Sequence, residues 1–269
     1  MCKTIRIENG SKKIIQYGDE LYNALITRQT IAPITERSPE VTIEDAYKIQ
    51  NQMIARRIEA GESIVGKKVG CTSKAVMNML DVNQPDFGYL LTDMVYSEGQ
   101  DIPVSEKMIQ PKAEGEIAFI LKRDLCGPGL TNADILRATD AVMPCFEIVD
   151  SRITDWKIKI QDTIADNASC GYLVLGGSFV DPRKIDLSVC GLTLEKNGEL
   201  MYTGAGAAAL GSPVNAMTWL ANTMGALGVT LKAGEVILSG ALCAMVDAKA
   251  GDSMRVSVGG MGSTSVRFV

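Results

Sequence analysis

The sequence changes character at Ser63, and this change constrains the fold more than any other feature. Before Ser63 lie two segments with the apolar spacing of amphipathic helices, residues 19–28 and a longer helix that begins at Thr42. The Thr42 hydroxyl can cap the free helical amides, and Asp45 completes a capping-box pair. Gly61 supplies a helix stop. The sequence therefore predicts a helical N-terminal portion.

After Ser63 the chain consists mainly of short apolar runs separated by glycine, proline, asparagine and aspartate, which is typical of strands and tight turns. The clearest strands of its first half are predicted at residues 64–70, 116–122, 145–151 and 171–177. Helices are predicted at residues 131–142 and 213–227, and Asn197-Gly198 predicts a hairpin turn. These patterns indicate the α+β class, with a second part of predominantly antiparallel or mixed β structure.

The chain has 269 residues and no histidine, which excludes several classes of chemistry. Without imidazole there is no Ser-His-Asp or Cys-His nucleophile system, no His-ligated metal and no histidine general acid or base. Catalysis must instead use carboxylates, lysine, tyrosine, hydroxyls, thiols, backbone dipoles or a hard metal ion.

The charge and the apolar pattern exclude two kinds of partner. A formal net charge of −5 gives no electrostatic footprint for nucleic acid or an anionic membrane. Later apolar runs fall short of the roughly 18 residues of a membrane span, and charges interrupt the N-terminal apolar stretches, unlike in a signal peptide. We therefore expect a cytoplasmic protein.

Seven cysteines without a C-x-x-C pair do not indicate a disulfide framework, and their number is odd. We expect buried thiols in a reducing compartment. Cys145 and Cys170 would need an activating base to act as nucleophiles, so packing roles are favoured for both. The cysteines are Cys2, Cys71, Cys126, Cys145, Cys170, Cys190 and Cys243.

Glu114 and Glu116 form an E-x-E pair at the start of an apolar strand. Residues two apart in a strand point to the same side, and Gly115 leaves room behind the two carboxylates. Glu147 lies in another apolar strand, where an unpaired buried carboxylate would be costly. Three facing carboxylates repel unless a cation or proton joins them, and oxygen-only ligation suits Mg²⁺ or Mn²⁺. The alternative is that the E-x-E pair is solvated and Glu147 pairs with lysine or arginine.

Two adjacent lysines, Lys67 and Lys68, occupy a short β run bracketed by glycines. Alternation places them on opposite faces, so one must point inward if the sheet is covered. An inward Lys68 could bind a carboxylate or enolate, transfer a proton or form a Schiff base. A lysine that extends to the surface is the alternative.

Two polar segments are further candidates. Asp86 lies in the sequence QPDFG, where Pro85 and Gly88 favour a turn and Asp86 would bond only local amides. Ser169 lies in the sequence DNASCG, ahead of a buried-looking strand, where it could line a pocket or belong to a simple loop.

A set of motifs distributed from Gly18 to Val269 resembles the 2-hydroxypenta-2,4-dienoate hydratases of the fumarylacetoacetate hydrolase superfamily. The motifs are VGKKVG, QPDFG, QPKAEGEIAFIL, PCFEIVDSR, DNASCG, GAGAAALGSPVNAMTWLAN and GSTSVRF. The resemblance implies a mixed β-sandwich roll with a small N-terminal α/β portion. We accordingly expect an N-terminal helical α/β portion at residues 1–70 and a catalytic β-rich domain at residues 71–269.

The resemblance also implies roles for the candidate residues. Glu114, Glu116 and Glu147 match positions that bind Mg²⁺ or Mn²⁺ in the family, and Lys68 matches a lysine that reaches the substrate beside the metal. Asp86 and Ser169 match positions near the substrate. The implied enzyme is a metal-dependent hydro-lyase of the meta-cleavage catabolism of aromatic compounds, which adds water to 2-hydroxypenta-2,4-dienoate and gives 4-hydroxy-2-oxopentanoate.

Neighbouring activities within the superfamily remain as alternatives. Hydrolases of the fumarylacetoacetate type use a His-Glu pair, which this chain lacks, and 4-oxalocrotonate decarboxylases differ at the position of Asp86. A Schiff-base lyase that uses Lys68 is a further alternative, and either Lys68 or Asp86 could transfer the proton. The resemblance also implies a homo-oligomer and a complex with 4-oxalocrotonate decarboxylase, which the chain could serve as a non-catalytic assembly partner.

Overall fold

A computed structural model describes residues 11–79, except for the side chain of Met79, and residues 81–269. Cys2 therefore lies outside the described residues. The helices are α1 Lys12–Thr27, α2 Ile34–Arg37, α3 Ile43–Glu59, α4 Lys74–Met79, α5 Val104–Lys107, α6 Asn132–Ala138, α7 Ile160–Ala165 and α8 Pro213–Ala226. The strands are β1 Ile64–Gly70, β2 Asp86–Leu91, β3 Val95–Ser97, β4 Asp101–Ile102, β5 Pro111–Leu121, β6 Thr139–Asp150, β7 Cys170–Leu175, β8 Gly191–Lys196, β9 Glu199–Ala205, β10 Val236–Leu238, β11 Val246–Asp247, β12 Ser253–Val258 and β13 Gly262–Phe268.

These strands form two sheets. The first has the order β2-β1-β10-β5-β6-β7-β3, with β11 paired to β5, and the second has the order β4-β13-β12-β8-β9. In the first sheet β1 is parallel to β10 and β3 is parallel to β7, while its other pairs are antiparallel. The predicted α+β class with a mixed β structure is confirmed.

The two sheets pack closely where β5 contains a glycine. A Cβ atom at Gly115 would lie 2.9 Å from the side chain of Val256 and 3.1 Å from that of Leu192, both in the second sheet. Because side chains alternate along a strand, Glu114 and Glu116 point away from this packed interface. One face of the first sheet thus joins the core, and the opposite face presents the E-x-E pair.

The N-terminal helices form a second, smaller core. Its buried residues come mainly from α1, α3 and α7, including Leu21, Ile49 and Ile164. Thr42 caps α3 in the predicted capping box with Asp45. Helix α7 follows β6, lies shortly before Ser169 in the chain and packs against α3. The smaller core therefore joins the N-terminal helices to the segment that precedes Ser169.

Several local predictions hold, and others miss an element boundary. Strand 64–70, the Asn197-Gly198 hairpin and the helix that begins at Pro213 are confirmed. The first helix begins at Lys12 rather than at residue 19, because apolar side chains before that point already pack on the helical core. The helix predicted at 131–142 ends at Ala138, because the chain then enters β6 and pairs with β5.

Across the residues that the structure describes, no helix combines the length and the apolar character needed to cross a bilayer.

The β8–β9 hairpin provides a test of the turn. A Cβ atom at either Gly198 or Gly191 would have no heavy atom within 4 Å, but only Gly198 has a left-handed φ, of +84°. Gly198→Ala should therefore lower the free energy of unfolding by about 1–2 kcal/mol, whereas Gly191→Ala should leave it unchanged or slightly higher. Urea unfolding of both variants measures the difference. An equal effect of the two substitutions would show that backbone conformation is not the cause.

Candidate active site

The register of the first sheet brings the candidate residues to one face. Lys68 of β1 lies beside Leu238 of β10, which lies beside Ala118 of β5. Residues directly paired across strands share a face, so Glu116 and Glu114 follow Ala118 along the face of Lys68. Glu114 is paired with Glu147 of β6.

Asp86 joins the same face at the edge of the sheet. It is the first residue of β2 and pairs with Gly70 of β1, two residues beyond Lys68. It is only 3% exposed. The turn favoured by the sequence QPDFG is therefore wrong, because pairing with β1 continues the strand as far as Asp86.

The three glutamates form a compact cluster. One carboxylate oxygen from each of Glu114, Glu116 and Glu147 lies within 4.8 Å of the others. Glu116 and Glu147 are fully buried, and Glu114 borders a cavity. Glu116 Oε2 accepts a 2.8 Å hydrogen bond from the backbone N–H of Gly240. Within the described part of the chain, Glu116 Oε1 and both carboxylate oxygens of Glu147 accept no hydrogen bond.

The negative charges of the cluster are stable together only when a proton or a cation joins them. Burial and the neighbouring carboxylate of Glu147 raise the pKa of Glu114 to about 7. The same two causes, with Glu114 added, raise the pKa of Glu116 well above its ordinary value. Lys68 offsets one of the three negative charges, and the two that remain match a divalent cation. Buried carboxylate oxygens that lack donors are the ligands that Mg²⁺ or Mn²⁺ prefers, so the residues fit such an ion.

Lys68 is held over this cluster. Its Nζ lies 3.2 Å from Glu147 Oε1, an ion pair that does not reach hydrogen-bond geometry. Burial lowers the pKa of Lys68, but the charges of Glu147, Asp86 and Glu114 outweigh burial and raise that pKa above its ordinary value. Lys68 therefore remains a cation. The alternative of a lysine that extends to the surface is wrong, since the residue is 3% exposed.

Lys67 is equally buried on the opposite face, where the carboxylate of Glu235 accepts a hydrogen bond from its ammonium group. The sequence argument required only one inward lysine, and the structure buries both because the sheet is covered on its two sides. Glu235 was not a candidate, because it lies far from Lys67 in the sequence and no local pattern connects them.

Gly70 explains how Asp86 and Lys68 approach each other. A Cβ atom at Gly70 would lie 2.1 Å from Asp86 Oδ1 and 3.1 Å from Lys68 Nζ, so only glycine leaves room for both groups. Burial raises the pKa of Asp86, which favours its protonated form, and the charge of Lys68 partly opposes this. A carboxyl group with such a pKa is suited to proton transfer.

Ser169 lies on a turn before β7 and also faces the cavity. Its hydroxyl and that of Thr163 are 3.1 Å apart. Ser169 is buried in this turn and lines the cavity, as the first of its two alternatives expected. Asn167, Ala168 and Ser169 all have left-handed φ values, of 54°, 51° and 53°. Such conformations cost roughly 1–3 kcal/mol each in a residue other than glycine.

A cavity of about 620 Å³ connects these groups. Polar groups from Lys68, Asp86, Glu114 and Ser169 meet in it. Its other walls include the apolar side chains of Val76, Val149, Trp156, Ile158 and Met245. A cavity lined by both apolar side chains and several polar groups is typical of a small-molecule site.

The cysteines are only partly as expected. Cys145, Cys170 and Cys190 are buried and free, which agrees with packing roles. Cys71 and Cys243 are half-buried and Cys126 is exposed, so the expectation of buried thiols is wrong for these three. They lie at turns and edges rather than inside the sheets.

The fold is a pair of packed sheets, and one face of the first sheet carries the carboxylate cluster and the buried Lys68. The family model described as the fumarylacetoacetate (FAA) hydrolase C-terminal family matches residues 64–269. The chain belongs to this family. The fold expected from the resemblance is thus confirmed, whereas a domain boundary at residue 70 stays a prediction.

Named relatives specify the branch of the family. A 2-hydroxypent-2,4-dienoate hydratase of Pseudomonas putida is 63% identical over 216 residues, which cover 80% of this chain and 97% of the relative. A 2-hydroxyhexa-2,4-dienoate hydratase of Comamonas testosteroni is 53% identical over 252 residues, or 93% of this chain and 96% of the relative. The resemblance to the dienoate hydratases is confirmed.

A solved structure shows the same fold over the whole chain. The 4-oxalocrotonate decarboxylase from Pseudomonas putida G7, complexed with magnesium and adipate, matches with a TM-score of 0.93 and 35% identity. The match covers 99% of this chain and 100% of the decarboxylase. The fold is therefore shared by relatives with two different names.

The glutamate cluster predicts that a divalent ion stabilises the protein. Mn²⁺ at one hundred times its dissociation constant should add about 2.7 kcal/mol to the free energy of unfolding. Glu116→Gln keeps an acceptor for Gly240 but removes a ligand charge, so most of the Mn²⁺-dependent rise in Tm should disappear. Glu235→Gln, a buried carboxylate on the opposite face, is the matched control and should retain the rise. Thermal unfolding with and without Mn²⁺ measures both, and a full rise in Glu116→Gln would contradict the assignment.

Proposed function

We propose that this chain is a metal-dependent hydratase of the meta-cleavage catabolism of aromatic compounds. It adds water to 2-hydroxypenta-2,4-dienoate and gives 4-hydroxy-2-oxopentanoate. The observation that carries the proposal is the convergence of Lys68 and Asp86 on the glutamate cluster in one cavity. Relatives named as dienoate hydratases, at 53% and 63% identity, and one named as a 2-keto-4-pentenoate hydratase, at 48%, support it.

We propose that Glu114, Glu116 and Glu147 hold the ion, which is Mg²⁺ or Mn²⁺. When bound, such an ion supplies Lewis-acid stabilisation of negative charge on a substrate oxygen. Because Glu116 and Glu147 are fully buried, they exclude bulk water from the ion and from the substrate oxygen beside it.

Lys68 supplies the positive charge that an anionic substrate needs. The substrate carries a carboxylate, and its 2-oxygen gains negative charge as the dienol ketonises. An ammonium held 3.2 Å from Glu147 is fixed before substrate enters, so little reorganisation is needed during the reaction. Ser169, which also lines the cavity, offers a hydroxyl to the substrate.

Asp86 is our candidate for the proton transfers. A proton added at carbon 5 converts the dienol into 2-oxopent-3-enoate, and the hydroxyl proton at carbon 2 is released. Water then adds across the new double bond, with its oxygen at carbon 4 and a proton at carbon 3. A buried carboxyl with a raised pKa can deliver the first proton and orient the water. Lys68 is the alternative acid.

Two other reactions are less well supported. A Schiff-base lyase needs no metal ligands, whereas three glutamates converge beside Lys68 in an arrangement that suits a divalent ion. The decarboxylase is the less similar relative, at 35% identity against 63% for the first hydratase.

We further propose a cytoplasmic homo-oligomer that also associates with 4-oxalocrotonate decarboxylase. Free cysteines suit a reducing compartment. The edge strand β9 exposes the apolar side chains of Leu200, Met201 and Tyr202, which supports contact with another chain. Since the decarboxylase shares the whole fold, a surface that joins copies of this chain could also accept that enzyme. Native mass spectrometry of each protein and of their mixture tests both associations.

An ultraviolet assay tests the reaction directly. Freshly generated 2-hydroxypenta-2,4-dienoate should lose its conjugated absorbance in the presence of the protein and Mg²⁺ or Mn²⁺, with 4-hydroxy-2-oxopentanoate identified by mass spectrometry. EDTA should abolish turnover and added metal should restore it. Metal-independent turnover with borohydride trapping of Lys68 would favour the Schiff-base lyase. Absence of turnover by the metal-loaded chain would favour the assembly role.

Asp86→Asn tests the proton-transfer role. It replaces the acidic carboxyl group by an amide of similar size that cannot act as a general acid or base, so kcat should fall by about 10²- to 10⁴-fold, while the Mn²⁺-dependent rise in Tm persists. Asp252→Asn is the matched control, because Asp252 is also 3% exposed but pairs with Lys196 beside the second sheet. The control should retain kcat, and unchanged turnover in Asp86→Asn would remove Asp86 from the mechanism.

A further inference from the structure

The turn that carries Ser169 is unusual in its backbone. Three successive residues, Asn167, Ala168 and Ser169, are left-handed, although none is glycine. L-residues visit this region as single residues rather than in runs, because Cβ crowds the following carbonyl. The surrounding structure must therefore hold the turn in place.

Arg152 hydrogen-bonds the backbone on both sides of the left-handed turn. Its guanidinium donates hydrogen bonds to the carbonyl of Asp166, at 2.5 Å, and to the carbonyl of Cys170, at 3.1 Å. It also pairs with the Asp166 carboxylate at 2.5 Å. The residues that it contacts directly precede and follow the left-handed run. Arg152 is fully buried and does not line the cavity, so it acts on the turn rather than on a ligand.

Asn167 ties the turn to strand β2. Its side-chain amide accepts a hydrogen bond from the Tyr89 N–H at 2.8 Å and donates one to the Tyr89 carbonyl at 2.9 Å. The neighbouring Gly88 permits this contact, since a Cβ atom there would lie 2.5 Å from the Asn167 carbonyl oxygen. Strand β2 begins with Asp86, so the amide connects the Ser169 turn to the strand that carries Asp86.

We propose that Asn167 and Arg152 are positioning residues that fix the Ser169 hydroxyl, relative to Asp86, for contact with a 2-oxo acid in the cavity. This inference rests on the proposed function, because that function places the 2-oxo acid there. The Ser169 hydroxyl has one partner in the described chain, Thr163, and retains hydrogen-bonding capacity toward the cavity. Both the oxygen and the nitrogen of the Asn167 side-chain amide bind the Tyr89 backbone, so Asn167 acts on a ligand only through the turn.

The chain provides a matched control for Asn167. Asn222 of α8 makes the same pair of bonds to one backbone residue, as it accepts from the Leu130 N–H at 2.8 Å and donates to the Leu130 carbonyl at 2.9 Å. Neither Asn222 nor Leu130 lines the cavity. Replacement of either asparagine by alanine removes the same two hydrogen bonds, so the two variants separate stability from positioning.

Binding and kinetics together test the proposal. In Asn167→Ala, the Kd of the saturated analogue 2-oxopentanoate, measured by calorimetry with Mg²⁺ present, and the KM for dienoate should rise about 10- to 100-fold. In Asn222→Ala both should stay within about twofold, even if Tm falls equally. The Mn²⁺-dependent rise in Tm should survive in both variants. If Asn167→Ala does not fold, Asn167→Asp, which keeps only the acceptor for Tyr89 N–H, supplies the same comparison.

A double-mutant cycle shows whether Asn167 acts through Ser169. In a Ser169→Ala background, Asn167→Ala should weaken 2-oxopentanoate binding little further, since the hydroxyl that it positions is gone. Fully additive losses, or equal losses in Asn167→Ala and Asn222→Ala, would overturn the proposal. Wild-type protein that binds 2-oxopentanoate but does not hydrate dienoate would contradict the proposed function alone. Wild-type protein that fails to bind 2-oxopentanoate would overturn the positioning role as well.

Discussion

The carboxylates of Glu114, Glu116 and Glu147 converge on one point of a covered sheet face, and their mutual repulsion sets the conditions that the surrounding structure must meet. Burial of like charges is costly unless partners compensate them. A backbone N–H from Gly240 and the ammonium of Lys68 supply part of the compensation. The negative charge that remains suits a divalent cation, which would bring the three glutamates and Lys68 to neutrality.

Coverage of the sheet on both faces gives two adjacent lysines opposite properties. Lys67 faces the single carboxylate of Glu235, and burial lowers its pKa despite that partner. Burial also acts on Lys68, but the carboxylates around it outweigh burial and raise its pKa. The number of facing carboxylates therefore decides which lysine is firmly cationic. Alternation along one short strand places the Lys67–Glu235 ion pair on one side of the sheet and Lys68, beside the glutamate cluster, on the other.

How much could be predicted from the sequence depends on the distance over which each interaction acts. The shared face of Glu114 and Glu116 follows from alternation within one strand, and the capping box follows from two residues, Thr42 and Asp45, three positions apart. The position of Asp86 could not be predicted from its own segment, because its strand conformation comes from pairing with β1. Asn167 and Tyr89 are 78 residues apart, so no local pattern could reveal their bonds. The motif resemblance connected Asp86 and Ser169 with the glutamates, but it did not connect Asn167 with Tyr89.

The shared fold of hydratase and decarboxylase relatives bears on what determines the reaction. A glutamate cluster with a lysine can stabilise enolate charge whatever happens to the rest of the carbon chain. In the proposed function the cluster would therefore supply reactivity without choosing the product. The choice must come from groups that control the rest of the carbon chain, where a hydratase has to deliver a proton and then a water. Asp86 and Ser169 approach the cavity from β2 and from the left-handed turn, and the Asn167 amide joins these two elements. In the proposed mechanism, a rigid link of this kind would keep Asp86 and Ser169 at a constant separation through both steps of the addition.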